Sequence, residues 1–263
     1  MLHEPKQSMK KLLYLSAAIV GFCLFGCKPS NVQPDEYPAT DSTDHNPKVH
    51  GIDVSHHNDL DWEQLKKFEQ LQFLYAKATE GATFQDDRFD FHRQFAREHK
   101  LKFGGYHFLT LKSHIDSQFV NYKTMMHDFD CLPMLDVEGW DIQHLDTLEL
   151  QGLVDRWIEL TSAEWGVKPI IYCNPKIYHM IDLRGCLWWA DMGVCRNPNN
   201  VHTEEPTDPY AIWQFSVYKD STVIHGVRPD GTAVADSVDV NFLRPGSSLR
   251  DILMPPKNAE EKK

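Results

Sequence analysis

Eight short apolar runs, separated by polar and amphipathic sequence, constrain this chain more than any other feature. They are HGIDVS (50–55), FLYAKAT (73–79), FGGYHFL (103–109), LPMLDVE (132–138), PIIYC (169–173), LWWADM (187–192), AIWQFS (211–216) and VDVNF (238–242). Runs of this length, rich in β-branched and aromatic residues, read as strands. Between them lie helical patterns over 61–69, over 86–99 (Phe89, His92, Phe95, Ala96), over 113–129 (Ile115, Phe119, Tyr122, Met126) and over 146–165 (Leu153, Val154, Trp157, Ile158). Strands alternating with helices predict parallel pairing through right-handed crossovers.

Two α/β architectures satisfy that pattern. A doubly wound open sheet places a Gly-rich phosphate loop at its first strand-to-helix turn, but here that turn reads DVSHHND. The helical signal also fades after about residue 185, where NPNNVHTEEPTDP is loop and STVIHGVRPDGTAVADS (221–237) reads as a hairpin. The prediction is therefore an irregular, flattened (β/α) barrel, TIM-like, with eight strands and fewer than eight helices. A composition of 41% hydrophobic and 25% charged residues over 263 residues supports one sizeable core.

The N-terminus has a different character. Lys10 and Lys11 precede LLYLSAAIVGFCLFG, which ends at Cys27. A positive stretch followed by an apolar run of this length is an export signal. The run is short for a membrane span and stops at Gly-Cys, which disfavours a simple transmembrane anchor. Leu24-Phe25-Gly26-Cys27 resembles a bacterial lipobox, which implies lipidation of Cys27. Residues 28–47 are rich in Pro, Asp, Ser and Thr and suit a tether. The expected organisation is a signal over 1–26, a tether over 27–47, a catalytic domain over 48–250 and a polar tail over 251–263. A formal charge of −11, more acidic still without the signal, argues against nucleic acid as a partner. Cys131, Cys173, Cys186 and Cys195 remain for disulfides, with three connectivities open and no CxxC metal spacing.

Function is carried by acids. In CLPMLDVEGW (131–140), Asp136 and Glu138 stand one residue apart in a strand and share a face, about 7 Å from each other. Asp59/Asp61 and Asp128/Asp130 repeat that spacing, so spacing alone carries little. Position carries more, because a charge inside PMLDVEGW is costly to bury without a purpose. Asp53, Asp136 with Glu138, and Asp239 fall at or near the ends of the first, fourth and last runs, which a parallel barrel gathers at one mouth. Closure also makes the first and last strands neighbours. Clustered carboxylates among aromatic side chains are the components of glycoside hydrolysis, where repulsion keeps one acid protonated.

Two other chemistries find less support. Asp53 with His56 and His57 could serve as metal ligands, but no second His-x-x-His spacing accompanies them. No Gly-x-Ser-x-Gly elbow is present for serine catalysis.

Taken together, GIDVSHHNDLDW, YAKATEGATFQDDRF, GGYHF, PMLDVEG, PIIYCNP, WWADM, IWQFS and VDVNF resemble the glycoside hydrolase family 25 lysozymes, the Chalaropsis-type N-acetylmuramidases, from about residue 50 to 245. The resemblance implies cleavage of the β-1,4 bond between N-acetylmuramic acid and N-acetylglucosamine. It implies Glu138 as general acid, Asp136 beside it at the acetamido region, and Asp53 and Asp239 as further active-site carboxylates. It implies Tyr106, Trp188, Trp213 and Gln214 as residues shaping the sugar groove, with no metal and no cofactor. The expected partners are peptidoglycan strands and, through the lipid, a membrane of the cell envelope, with the outer membrane favoured and the protein a monomer. A glycan-binding lipoprotein without activity, or a hydrolase of another N-acetylated glycan such as chitin, are the rival readings. Two departures stand out: Asn58-Asp59 where the family usually has Gln-Gly, and Met192-Gly193 where a Tyr is typical.

Overall fold

The computed structural model describes residues 49–66, 68, 70–191, 205–219 and 237–256. Nine strands form one sheet: β1 (Gly51–Val54), β2 (Phe73–Glu80), β3 (Phe84–Gln85), β4 (Lys102–Phe108), β5 (Met134–Asp136), β6 (Ile170–Cys173), β7 (Leu187–Asp191), β8 (Ile212–Lys219) and β9 (Ser237–Leu243). Their order is β1-β9-β8-β7-β6-β5-β4-β2-β3, and β1 also pairs with β2. That last pairing closes an eight-stranded barrel, with β3 a short hairpin arm on β2.

All the expected strands are present, with one difference of direction. From β1 round to β8 the barrel pairs are parallel, whereas β9 runs antiparallel to both β8 and β1. Reversal matters for the site. Asp239 lies near the start of β9, and only an antiparallel strand brings its start to the mouth formed by the ends of the others.

Side-chain alternation divides the apolar residues into two sets. Phe73 and Tyr75 of β2, Met134, Ile170, Trp189, Ile212 and Leu243 cluster in the barrel lumen. Ile52, Leu74, Phe103, Leu135, Ile171, Ala190 and Val240 point outward and meet the helices. Two glycines make room inside. A Cβ on Gly51 would lie 2.0 Å from the Phe73 ring, and one on Gly104 2.4 Å from the Tyr75 ring. Large rings on β2 therefore fill the lower lumen because the strands on either side carry no side chain there.

The helices are α1 (Trp62–Leu65), α2 (Phe89–Glu98), α3 (Ile115–Met125), α4 (Thr147–Trp165) and α5 (Pro175–Tyr178). The longest, α4, begins where the Asp146 side chain accepts from Leu148 N and ends at Gly166 in the left-handed region. It buries Leu150, Val154, Trp157, Ile158 and Thr161 against the barrel, and each fully buried large apolar side chain contributes about 1.5–3 kcal/mol. A polar seam joins α3 to the sheet: His107 bonds Thr79 Oγ1 at 2.7 Å and Gln118 Oε1 at 3.0 Å while stacking on Trp157. Burial pushes the His107 imidazole down to about 4, so it stays neutral there.

The lower end is sealed by the chain beyond β9. Ile252 is fully buried, Leu132 N donates to its carbonyl at 2.8 Å, and Leu253 bridges Cys131. The boundary expected at 250 thus falls inside a packed 3₁₀ turn (Leu249–Ile252), and the domain continues through these residues. Cys131, Cys173 and Cys186 are buried free thiols; Cys195, Cys27, the signal and tether segments, Met192-Gly193 and all but the last residue of the stretch 221–237, expected as a hairpin, lie outside the described residues. Among the described residues no helix is long and apolar enough to cross a membrane.

Candidate active site

Following each lumen face upward by two residues leads from apolar to polar side chains. Gly51 gives way to Asp53, Gly104 to Tyr106, Met134 to Asp136, Ile170 to Tyr172, Trp189 to Asp191, Ile212 to Gln214, and Leu243 to Asn241 and then Asp239. Register confirms the ring: Asp53 pairs with Asp239, Asp136 with Tyr172, and Asp191 with Gln214. Glu138, two residues beyond Asp136, is half-buried.

Asp53 is held by a relay of donors. Asn241 Nδ2 donates to its Oδ2 at 2.7 Å, and Gln214 Nε2 donates at 3.2 Å. Both amides are oriented in turn: Trp189 Nε1 donates to Asn241 Oδ1 at 2.9 Å, and Tyr172 OH donates to Gln214 Oε1 at 2.9 Å. Each acceptor is thereby used, leaving the NH₂ groups no choice but to face the carboxylate. Burial nevertheless pushes Asp53 up to about 6, with Asp191 adding repulsion and the two amide bonds opposing it.

Asp136 is only 6% exposed, and its Oδ1 is buried with no hydrogen-bond partner among the described residues. Burial and then Glu138 hold its carboxyl well above the usual carboxylate range, while Lys77 pulls it back. Lys77 is buried between Phe108, at 4.7 Å from the ring centroid, and Phe84, at 5.5 Å, and it pairs with Glu80 at 2.5 Å. Asp239 is partly exposed, yet the walls around it withdraw enough water, with Asp53 and Glu138 repelling, to raise it strongly. Tyr106 and Tyr172 are raised by burial and by the same acids, so both phenols stay protonated donors.

The four expected carboxylates, Tyr106 and Gln214 therefore meet at one mouth. Trp188 and Trp213 do not join them. They alternate with Trp189 and Gln214 and so project outward, into the core between barrel and helices. Trp188 is 2% exposed, donates to Cys173 O at 3.0 Å and stacks on Tyr178 at 3.9 Å. Missing from the sequence reading were Lys77, Tyr172, Asp191 and Asn241. The period-two alternation through WWAD, the same that singled out PMLDVE, could have found Asp191. The partners of Asp53 carry no local signal.

His56 is oriented by Asp86. Its Nδ1 and its backbone N both bond Asp86 Oδ2, at 2.9 and 2.8 Å. Among the described residues no three His, Cys, Asp or Glu side chains converge to hold a metal ion. The Asn58-Asp59 departure is absorbed locally, since Asn58 Oδ1 accepts from Ser55 N at 2.8 Å and Asp59 pairs with Arg88. A cavity of about 500 Å³ at the opposite end of β7, β8 and β9 includes Leu187, Ala211 and Arg244 and none of the mouth acids.

Comparison with known proteins gives the family of the chain. The Escherichia coli (strain K12) protein YegX is 30% identical over 191 residues, covering 68% of this chain and 66% of YegX. Lysozyme M1 of Streptomyces globisporus is 41% identical over 202 residues, covering 69% of this chain and 65% of that protein. The chain thus spans just under two thirds of the length of either relative. In fold it is similar to a family 25 glycosyl hydrolase from Bacillus anthracis, with a TM-score of 0.61 at 20% identity over 80% of this chain and 94% of the other. Residues 52–227 match the family described as Glycosyl hydrolases family 25, and the chain belongs to that family.

Proposed function

We propose that this protein is a muramidase, a lysozyme that hydrolyses the β-1,4 bond between N-acetylmuramic acid and N-acetylglucosamine in peptidoglycan. One observation carries the reading beyond family membership. Asp136 and Glu138 stand together at the mouth of the barrel, and burial with repulsion from Glu138 raises the Asp136 carboxyl well above the usual carboxylate range, which favours holding a proton on this pair. Glu138, half-buried and close enough to repel both Asp136 and Asp239, is the member to which we assign its delivery. In this reading the proton passes to the glycosidic oxygen as the bond from that oxygen to the anomeric carbon breaks, and water supplies the hydroxyl that replaces it. Positive charge developing on the sugar is met by Asp53, held in place by Asn241 and Gln214, and by Asp239. The unpartnered Oδ1 of Asp136 suits an acetamido group brought by the substrate, and Tyr106 adds a neutral donor.

The same reading takes the chain to the cell envelope. Lys10 and Lys11, the apolar run that follows and the Leu24-Phe25-Gly26-Cys27 stretch support export and lipidation at Cys27. Two adjoining lipid chains would fix the domain to a membrane surface, the outer membrane in our proposal, within reach of peptidoglycan.

Digestion of purified peptidoglycan, followed by mass spectrometry of borohydride-reduced fragments, tests the activity. New reducing ends on muramic acid support it. The nearly isosteric Glu138→Gln should lower turnover by about 10²- to 10⁴-fold without changing the melting temperature. Binding of glycan with no cleavage by the parent protein would favour the non-catalytic reading, and cleavage of chitin oligomers alone would reassign the substrate.

A further inference from the structure

Trp140 is 79% exposed, an unusual position for an indole, and it follows Glu138 by only two residues. A single exposed apolar side chain needs no explanation by itself. This one stands on a turn braced from several sides. Gln143 Nε2 donates to the Glu138 carbonyl at 3.0 Å, Lys176 Nζ donates to the Gln143 carbonyl at 3.0 Å, and His144 Nδ1 bonds the Trp140 carbonyl at 2.6 Å. Ile142 is fully buried beneath the turn, and Asp141 caps it by accepting from Ile142 N. Gly139 permits the tight path, since a Cβ there would lie 2.8 Å from Asp141 Oδ1 and 3.2 Å from Ile142 Cγ1. The His144 ring packs against the indole with centroids 4.5 Å apart, leaving most of Trp140 open to solvent.

Resting on the muramidase reading, we propose that Trp140 is a stacking platform for a sugar ring of the glycan strand, one or two units from the bond whose oxygen Glu138 protonates. Two residues of chain span at most about 7 Å, so the indole stands within a few sugar lengths of the acid. Its flat apolar face complements the C–H face of an N-acetylated hexose, and the braced turn means little freedom is lost when the sugar docks. Trp140 adds affinity for long strands and defines where along a strand the enzyme settles.

The test uses the full chain with Glu138→Gln, which retains bound glycan uncleaved, alone and combined with Trp140→Ala or Trp140→Phe. Calorimetric titration with N-acetylglucosamine–N-acetylmuramic acid oligosaccharides of two, four, six and eight units measures the effect. Trp140→Ala should weaken binding of the longer oligomers by roughly three- to tenfold, with Trp140→Phe recovering part of the loss and the disaccharide binding all variants alike. Equal affinity of all variants for the eight-unit oligomer would overturn the proposal. Cleavage by the parent protein, read separately by mass spectrometry, reports on the muramidase reading. A length-dependent loss without cleavage would keep the platform and discard the hydrolase.

Discussion

Asn241 Nδ2 donates to Asp53 Oδ2 at 2.7 Å across 188 residues of sequence. The bond joins the first strand of the barrel to the last and is shorter than the one Asp53 accepts from Gln214. It also favours the ionised form of a carboxylate that burial pushes up to about 6. Replacing Asn241 with Ala removes that support. The apparent pKa of Asp53 should rise further, moving the acid limb of the pH–activity profile toward neutral, while Trp189 Nε1 loses its acceptor and stability falls by about 1–3 kcal/mol. A pH profile and a urea melt of the variant check both.

Asp53 also makes stability depend on pH, in a definite direction. Its carboxyl takes up a proton more readily in the folded state, at about 6, than its ordinary value of 3.8. Ionisation is therefore easier in the unfolded chain, and stability falls as pH rises from about 4 to about 6, then levels off. At about 1.4 kcal/mol per unit the loss approaches 3 kcal/mol. Asp136 and Asp239, both raised, act in the same direction. Calorimetry from pH 4 to pH 8 should show a decline that Asp53→Asn makes shallower; an unchanged slope would contradict the burial argument.

Lys77 opposes the repulsion on Asp136. With Lys77→Met, Asp136 should be held still higher, the limb of the pH–rate profile assigned to the acid pair should move toward alkaline pH, and Lys77→Arg should restore most of the parent profile. Loss of activity with no movement of the profile would point to packing between Phe84 and Phe108 instead.

Trp188 separates a groove role from a core role. Its outward position predicts that Trp188→Ala costs about 3–5 kcal/mol of stability, and that the milder Trp188→Phe lowers the melting temperature while KM for peptidoglycan stays as in the parent. A raised KM at unchanged stability would return it to the groove.

Glycines show how far local reading extends. FGGYHF reads as a strand because of its aromatic and apolar residues, and β4 is there. Why two glycines interrupt it is visible only once Tyr75 of β2 is seen over Gly104 and Phe89 and Met126 are seen beside Gly105.

Period-two alternation along each strand is a property of the backbone, so the sequence alone determined the strands and the barrel they make, and it set Glu138 just past the end of β5, two residues beyond Asp136. Orientation around the closed ring is not local. The antiparallel course of β9 is what carries Asp239 to the mouth, the parity of β7 and β8 sends Trp188 and Trp213 into the outer core, and closure supplies Asp53 with donors from Gln214 and Asn241. These were decided by tertiary structure, because hydrogen-bond partners and burial depend on which strands become neighbours, and a carboxylate's protonation depends on both.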